Sequence, residues 1–334
     1  MSTDMGRGLT LPAIAQAPRE HAPAGSSRPI AEVSGWAIHI PGRDDASVGP
    51  ERARELLGRK GLLYKEPATR LALCAVYRAL ACPPAAPRDA AEPDPHTAVV
   101  VSSNLGNVET VTRVARAVYQ GSVRDVSPLD APNASSNVIA STIAIWFRLG
   151  GPNLMVCSGA TGGLDAVRLA GVLLAVGRAR RVVVVGVEPD DPVARALEAG
   201  RRDAPCARRL RAGAAALVLT APGADAGADA DADAGSGAGA GAGALSLGRV
   251  RASAHAGDLT DARGPLFAPR CAEAAAIDLE AELGGLYGAL GVVQVAAAAE
   301  LLAAPGGERS EATVMCGDAH DGWRSLTLTR AAGP

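Results

Sequence analysis

The segment RRVVVVGVE, residues 180–188, restricts the fold more than any other, because four consecutive valines and a fifth after one glycine leave it no polar face. A strand without alternation is covered on both sides, as in a parallel sheet between two layers of helices. AAALVLT, 214–220, has the same character, and so does TAVVVSSN, 97–104, which ends in small polar residues. Helical spacing of apolar residues marks EPATRLALCAVYRAL, 66–80, and VETVTRVARAVYQ, 108–120. From Ser34, SGWAIHIPG reads as a short strand entering a turn, and SPLDAPNASSNVIASTIAIWFRL as a turn and a helix. GGPNLMVCSGATGGLDAVRLAGVLLAVG is predicted to be a short strand, a tight turn of small residues and a long helix ending near Gly177. Strand and helix therefore alternate, which argues for a layered α/β architecture.

Two stretches fall outside that pattern. Residues 1–27 are rich in Ala, Pro, Gly and Ser without periodicity, the composition of an unstructured leader. Residues 223–244, GADAGADADADAGSGAGAGAGA, carry no large side chain to offset the entropy of ordering, and read as a linker. The expected organisation is a first half over 28–222 and a shorter second half over 245–334. In the second half LSLGRVRAS reads as a strand, GGLYGALGVVQVAAAAELLA ends a helical region, and TVMCGDAHDGWRSLTLT reads as two strands around a tight turn.

With 334 residues, 48% of them apolar, the chain has material for a sizeable core. A formal charge of -2, with acids and bases mixed along the chain, gives no electrostatic reason for a nucleic-acid or membrane-surface partner. The six cysteines form no CxxC pair and no zinc spacing, so no metal is expected and a reducing cytoplasm is the expected location. No apolar run approaches the roughly 20 residues of a membrane helix.

The strand, turn, helix and strand over 151–188 resemble those of the β-ketoacyl synthases and their thiolase-fold relatives. Gly151, Pro152 and Asn153 open the segment, Gly177 closes the helix, and Gly186, Val187 and Glu188 end the next strand. The likeness extends back through VVVSSNLGNVET and forward through RAGAAALVLT. Past the linker, GGLYGALGVVQVAAAAELLA is similar to the family's Gly-His-x-x-Gly-Ala helix and the last strands to its closing hairpin. The resemblance implies a thiolase-like layered α/β/α/β/α fold with a shortened second half, with acyl chains on an acyl carrier protein as substrate context and no cofactor. It also implies a nucleophilic cysteine on the turn, where a helix N-terminus stabilises a thiolate, and two histidines that stabilise the enolate and oxyanion.

At each of those three positions this sequence differs. Counting from Pro152, Gly177 and Glu188 puts the nucleophile position at Ala160, and the Gly-His-x-x-Gly-Ala pattern puts one histidine position at Gly285. The interval between Thr260 and Gly284, where the other histidine motif belongs, contains no histidine. Chain-length factors of type II polyketide systems have lost the same groups. They carry a non-Cys residue before Gly-Gly-Leu-Asp-Ala, here Gly162 to Ala166, and tend to have Gly-x-Leu-Tyr, here Gly284 to Tyr287. The chain departs from them in having Ala160 where Gln is usual and in being shorter.

The expectation is thus a non-catalytic partner of an active ketosynthase, with a homodimer as an alternative. Ala160, Thr161 and Gly162 should line the residual pocket with Gly285 opposite, and Asn153, Leu154, Met155 and Val156 should form the interface. Competing readings keep a small acyltransferase that uses Cys157 or Ser158, with His320 as the better-placed histidine, and a non-enzymatic scaffold or acyl-binding protein. On the residues alone, Cys157 reads as a structural thiol, Asp165 as an acid suited to a helix's first turn, and His320 as a turn histidine.

Overall fold

The structure is a computed structural model that describes residues 28–82, 92–201, 208–223, 244–259, 264–273 and 276–331. The leader and nearly all of the stretch read as a linker lie outside them. Ten strands form, β1 (Ala31–His39), β2 (Thr97–Ser102), β3 (Asn153–Val156), β4 (Arg181–Glu188), β5 (Gly213–Thr220), β6 (Leu245–Leu247), β7 (Arg251–Ser253), β8 (Leu266–Phe267), β9 (Glu311–Asp318) and β10 (Gly322–Arg330). The helices are α1 (Arg54–Leu57), α2 (Pro67–Ala79), α3 (Val108–Gln120), α4 (Val138–Trp146), α5 (Gly162–Ala175), α6 (Pro192–Ala199), α7 (Leu279–Leu283) and α8 (Leu290–Ala303).

Among the described residues, all ten strands join one sheet in the order β3-β2-β4-β5-β1-β6-β10-β9-β8, with β7 also on β10. The valine run is β4. It is parallel to β2 on one side and antiparallel to β5 on the other, so the sheet is mixed where wholly parallel surroundings were expected. Covering of both faces, more than strand direction, is what removes polar residues from such a run. Val183, Val185 and Val187 enter a core with α2 and α4, while Val182 and Val184 enter a second core with α5 and α8.

Helices α5 and α8 form the central layer, because α8 packs on β1, β4 and β5 and also on β9 and β10. Their first turns cross at two glycines. A Cβ on Gly163 would lie 2.7 Å from the Val292 nitrogen, and one on Gly291 2.7 Å from the Leu164 nitrogen. Residues without side chains are what allow the two helix starts to touch. On the far side of β9 and β10, among the described residues, a small cluster of Leu259, Ala268, Ala276, Met315 and Trp323 stands in place of long helices.

LSLGRVRAS forms two strands rather than one. Leu247 pairs with Leu328 and Arg251 with Ser325, so the segment takes four steps while β10 takes three. One extra residue bulges the strand. Helix α3 matches its predicted span, yet only Thr110 is buried on it, and Val111, Val118 and Tyr119 are exposed.

Candidate functional site

Strands β2, β3 and β4 run parallel, so Ser102, Val156 and Glu188 end on one side of the sheet. Between β3 and α5 the chain turns sharply through Gly159, whose φ of 67° lies in the left-handed region, and a single 3-10 turn, Gly159–Thr161. Asn104, just past β2, holds that glycine from both sides. Its Nδ2 donates to the Gly159 carbonyl at 2.9 Å and its Oδ1 accepts from the Gly159 N–H at 3.0 Å.

Asn104 is itself held by Glu188, which is fully buried. The carboxyl of Glu188 accepts from the N–H groups of Asn104 (2.8 Å) and Leu105 (3.0 Å) and from the Ser103 hydroxyl (3.2 Å). Burial pushes it up to about 7 despite those bonds.

On this elbow the Ala160 N–H donates to Asp321 Oδ2 at 2.8 Å. Ser158 and Thr161 both donate their hydroxyls to Asp165 Oδ2 at 2.8 Å, and Arg324 Nε donates to Asp165 Oδ1 at 2.9 Å. Asp165 therefore does more than complement the helix start, since it ties the elbow to β10. Cys157 reaches the surface and donates its thiol to the Ser103 carbonyl at 3.1 Å. Desolvation of its inner side, with the charge of Glu188 second, raises that thiol, so it is the opposite of an activated thiolate.

Opposite the elbow, Gly284 to Tyr287 make the turn that leads through a second 3-10 turn into α8. Gly285 is stitched to the neighbouring segment, its N–H donating to the Arg209 carbonyl and its carbonyl accepting from the Arg211 N–H, both at 2.9 Å. A Cβ at Gly285 would sit 2.7 Å from the Arg208 carbonyl oxygen, so a side chain at this position collides with backbone. Glu280 accepts from the N–H groups of Leu286 (2.6 Å) and Tyr287 (3.3 Å), and burial pushes its carboxyl up to about 7 as well. Tyr287 has a φ of 40°, and its ring lies 3.9 Å from the Arg201 guanidinium carbon. Burial raises its phenol to about 12. Arg201 also pairs with Asp318 (2.6 Å), Glu198 (3.3 Å) and Asp321 (3.4 Å).

These two turns face a cavity of about 170 Å³ lined by residues that include Ala160, Gly285, Tyr287, Arg201, Leu290 and Trp323. Ala160 and Gly285 thus share one space. Thr161 and Gly162, expected in its lining, point inward instead: the Thr161 hydroxyl is spent on Ser158 and Asp165, and a Cβ on Gly162 would meet the Ser102 hydroxyl at 2.6 Å. Cys157, Ser158 and His320 do not line it either. His320 is exposed on the β9–β10 turn, where its N–H donates to Asp318 Oδ1 at 2.9 Å. Cys271 does line the cavity and is disulfide-bonded, where the sequence reading expected reduced thiols.

Strand β3 carries Asn153, Leu154, Met155 and Val156, all half-buried. Among the described residues it pairs with β2 alone and stands at the sheet's edge. Helices α4 and α5 pack beside it and leave Ile145 and Val172 exposed.

Sequence reasoning did not assign Asn104, Glu280, Arg201 or Asp321 to the site. Glu188 was noticed only as the end of a motif. Its signal was present, because a carboxylate closing an otherwise apolar buried strand needs partners. Among the described residues no group of three or more His, Cys, Asp or Glu could hold a metal ion, and no helix is long and apolar enough to cross a membrane.

Residues 60–254 match the family model described as beta-ketoacyl synthase, N-terminal domain. Among curated proteins the chain is 31% identical over 90 residues to 3-oxoacyl-[acyl-carrier-protein] synthase 2 of Vibrio cholerae serotype O1, and 29% identical over 90 residues to that of Vibrio harveyi. Each match covers 27% of this chain and 22% of the relative, so only about a fifth of those proteins is spanned. Among solved structures, the ishigamide ketosynthase/chain length factor is similar at a TM-score of 0.64 and 20% identity, covering 91% of this chain and 99% of that one. A type II polyketide synthase acyl-carrier protein in complex with its ketosynthase bound to the hexaketide gives a TM-score of 0.66 at 12% identity, covering 91% and 100%. At these identities the likeness is one of fold, which is that of the thiolase-like ketosynthases.

Proposed function

We infer that this chain, which belongs to the β-ketoacyl synthase family, is a ketosynthase-like subunit without the Cys/His/His set, and that it acts as a chain-length-factor-like partner of an active β-ketoacyl synthase in polyketide or fatty-acid-like biosynthesis. One observation carries the reading most directly. The cavity that brings Ala160 and Gly285 together offers a methyl group at one position and, at the other, no space for the first atom of a side chain. An imidazole at 285 requires the backbone at Arg208 to move, so the second half is built around having none.

In this role β3 is the contact strand. Its free edge can extend the sheet into a partner through main-chain hydrogen bonds, while Ile145 and Val172 supply apolar contacts above and below. The catalytic partner would perform condensation on acyl chains carried by an acyl carrier protein, and this chain would shape and stabilise it.

A small acyltransferase remains the second reading, because Ser158 Oγ lies 2.8 Å from a carboxylate. Against it, Asp165 is already paired with Arg324, and the nearest elbow amides are spent on Asn104 and Asp321. Both readings meet one experiment: incubation with acyl and malonyl carrier protein, alone and with a ketosynthase, followed by product analysis and intact mass. Condensation that depends on the ketosynthase, with no adduct on this chain, supports the partner reading. An acyl adduct removed by Ser158→Ala or Cys157→Ala supports the acyltransferase and sinks the other.

A further inference from the structure

The Ala160 N–H is the backbone donor at the apex of the elbow, where acyl-transfer sites place a donor for a developing oxyanion. Here it already holds an anion, the Asp321 carboxylate, at 2.8 Å. Three features keep that carboxylate in place. Gly159 leaves room for it, since a Cβ there would collide with the carboxylate. Arg201, anchored by Glu198 and stacked on the Tyr287 ring, pairs with Asp321 and, more closely, with Asp318 at the other end of the same turn. Asp318 in turn accepts from the Asp321 N–H at 2.7 Å, which fixes the turn's shape.

We propose that the β9–β10 turn is an autoinhibitory latch, in which Asp321 occupies the apical amide as an internal anion and Arg201 holds the turn shut against any ligand that brings an oxyanion or carboxylate to Ala160. This deepens the preceding reading and rests on Ala160 being the apex position. A site without its catalytic groups still has an anion-seeking amide at a helix start, and the latch keeps that amide from binding acyl thioesters or free acids. The ion pair makes the latch openable. A rearrangement that draws Arg201 away loosens Asp318 and Asp321 together, because both pair with the same guanidinium.

The test uses the full chain carrying Ala160→Cys, alone and combined with Asp321→Ala or Arg201→Gln. Alkylation of the introduced thiol by iodoacetamide is followed by peptide mass, with Cys157 in the same molecule as the reference thiol. Loss of Asp321 removes a neighbouring negative charge and frees the amide, so the introduced thiol should react about tenfold faster, as a drop of one unit in thiol pKa gives. Arg201→Gln separates a latch from a static neighbour. A latch opens and the rate rises; a carboxylate that stays put after losing its cation slows the reaction. Brisk labelling at one rate in all three chains, or slowing with Arg201→Gln, overturns the latch and leaves the apex position standing. No labelling of the introduced thiol in any background overturns both. Should Asp321→Ala fail to fold, the Arg201→Gln arm decides alone.

Discussion

The two turns that face the cavity are built alike and differ in the room they leave for a side chain. Each is a short 3-10 turn that feeds a 14-residue helix. Each includes positive φ, at Gly159 in the first and at Gly284 and Tyr287 in the second, and each is held by a carboxyl that desolvation pushes up to about 7, Glu188 or Glu280. At the elbow, Ala160 faces open space. Around Gly285 the Arg208–Arg211 segment fills the space that a side chain would need. A larger side chain can be placed at the first turn by one mutation, whereas at the second it meets backbone.

The largest expected effect tests that asymmetry. Gly285→His should cost about 3 kcal/mol or more, the upper range for overpacking, because the clash is with backbone. A urea midpoint within error of wild type would show that the Arg208 segment yields freely and that the two turns are equivalent after all.

Next comes pH. Glu188 is raised from its ordinary 4.5 to about 7, so the folded state binds its proton more tightly than the unfolded state does. Its stabilising contribution is fully present below pH 4.5 and is lost as pH rises through 7, by roughly 2–3 kcal/mol. Glu280 acts in the same direction at the second turn. Denaturation curves taken from below the ordinary carboxyl range to just above neutrality, for Glu188→Gln and Glu280→Gln, should each be flatter than wild type. A steeper curve for either contradicts the assignment of buried carboxyls to both turns.

A smaller effect is expected at Gly159. An alanine there must hold a left-handed φ and displace Asp321, a cost of about 1–2 kcal/mol. Tyr287→Gly should differ in kind, since relief of backbone strain is offset by loss of the ring under Arg201; its midpoint should move less than that of Gly159→Ala. The smallest effect belongs to Ala160→Cys, which should shift stability by less than about 1 kcal/mol because the added sulfur enters the cavity. A large loss would mean that the elbow is as closed as the Gly285 turn.

How much of this was legible in the sequence depends on how far apart the deciding residues lie. β4 could be read from its valines because covering on both faces writes itself into consecutive positions. The ends of α3 and the β9–β10 hairpin are likewise local. That Ala160 and Gly285 share a cavity followed from the family pattern, not from periodicity. The roles of Asn104, Arg201 and Asp321 were not readable, because each depends on loops more than 50 residues apart in sequence meeting at one elbow. Where Thr161 and Gly162 face is not local information either, because the partners that surround them, Asp165, Ser102 and Gly288, come from α5, β2 and the second turn. The bulge between β6 and β7 had a visible signal in Gly248, whose N–H donates to the Thr327 carbonyl.

Strand β1 alone separates the two ends of the Ala/Gly/Asp-rich stretch. Thr220 at the end of β5 and Ser246 in β6 both lie opposite Glu32, on either side of it. Two sheet spacings, roughly 10 Å, separate the points that the stretch has to connect, a gap that a handful of residues would bridge. For a flexible connection each doubling of length costs only about 0.6 kcal/mol in closure entropy, so a connection made at this place can vary widely in length and leave the cavity and its two turns where they are.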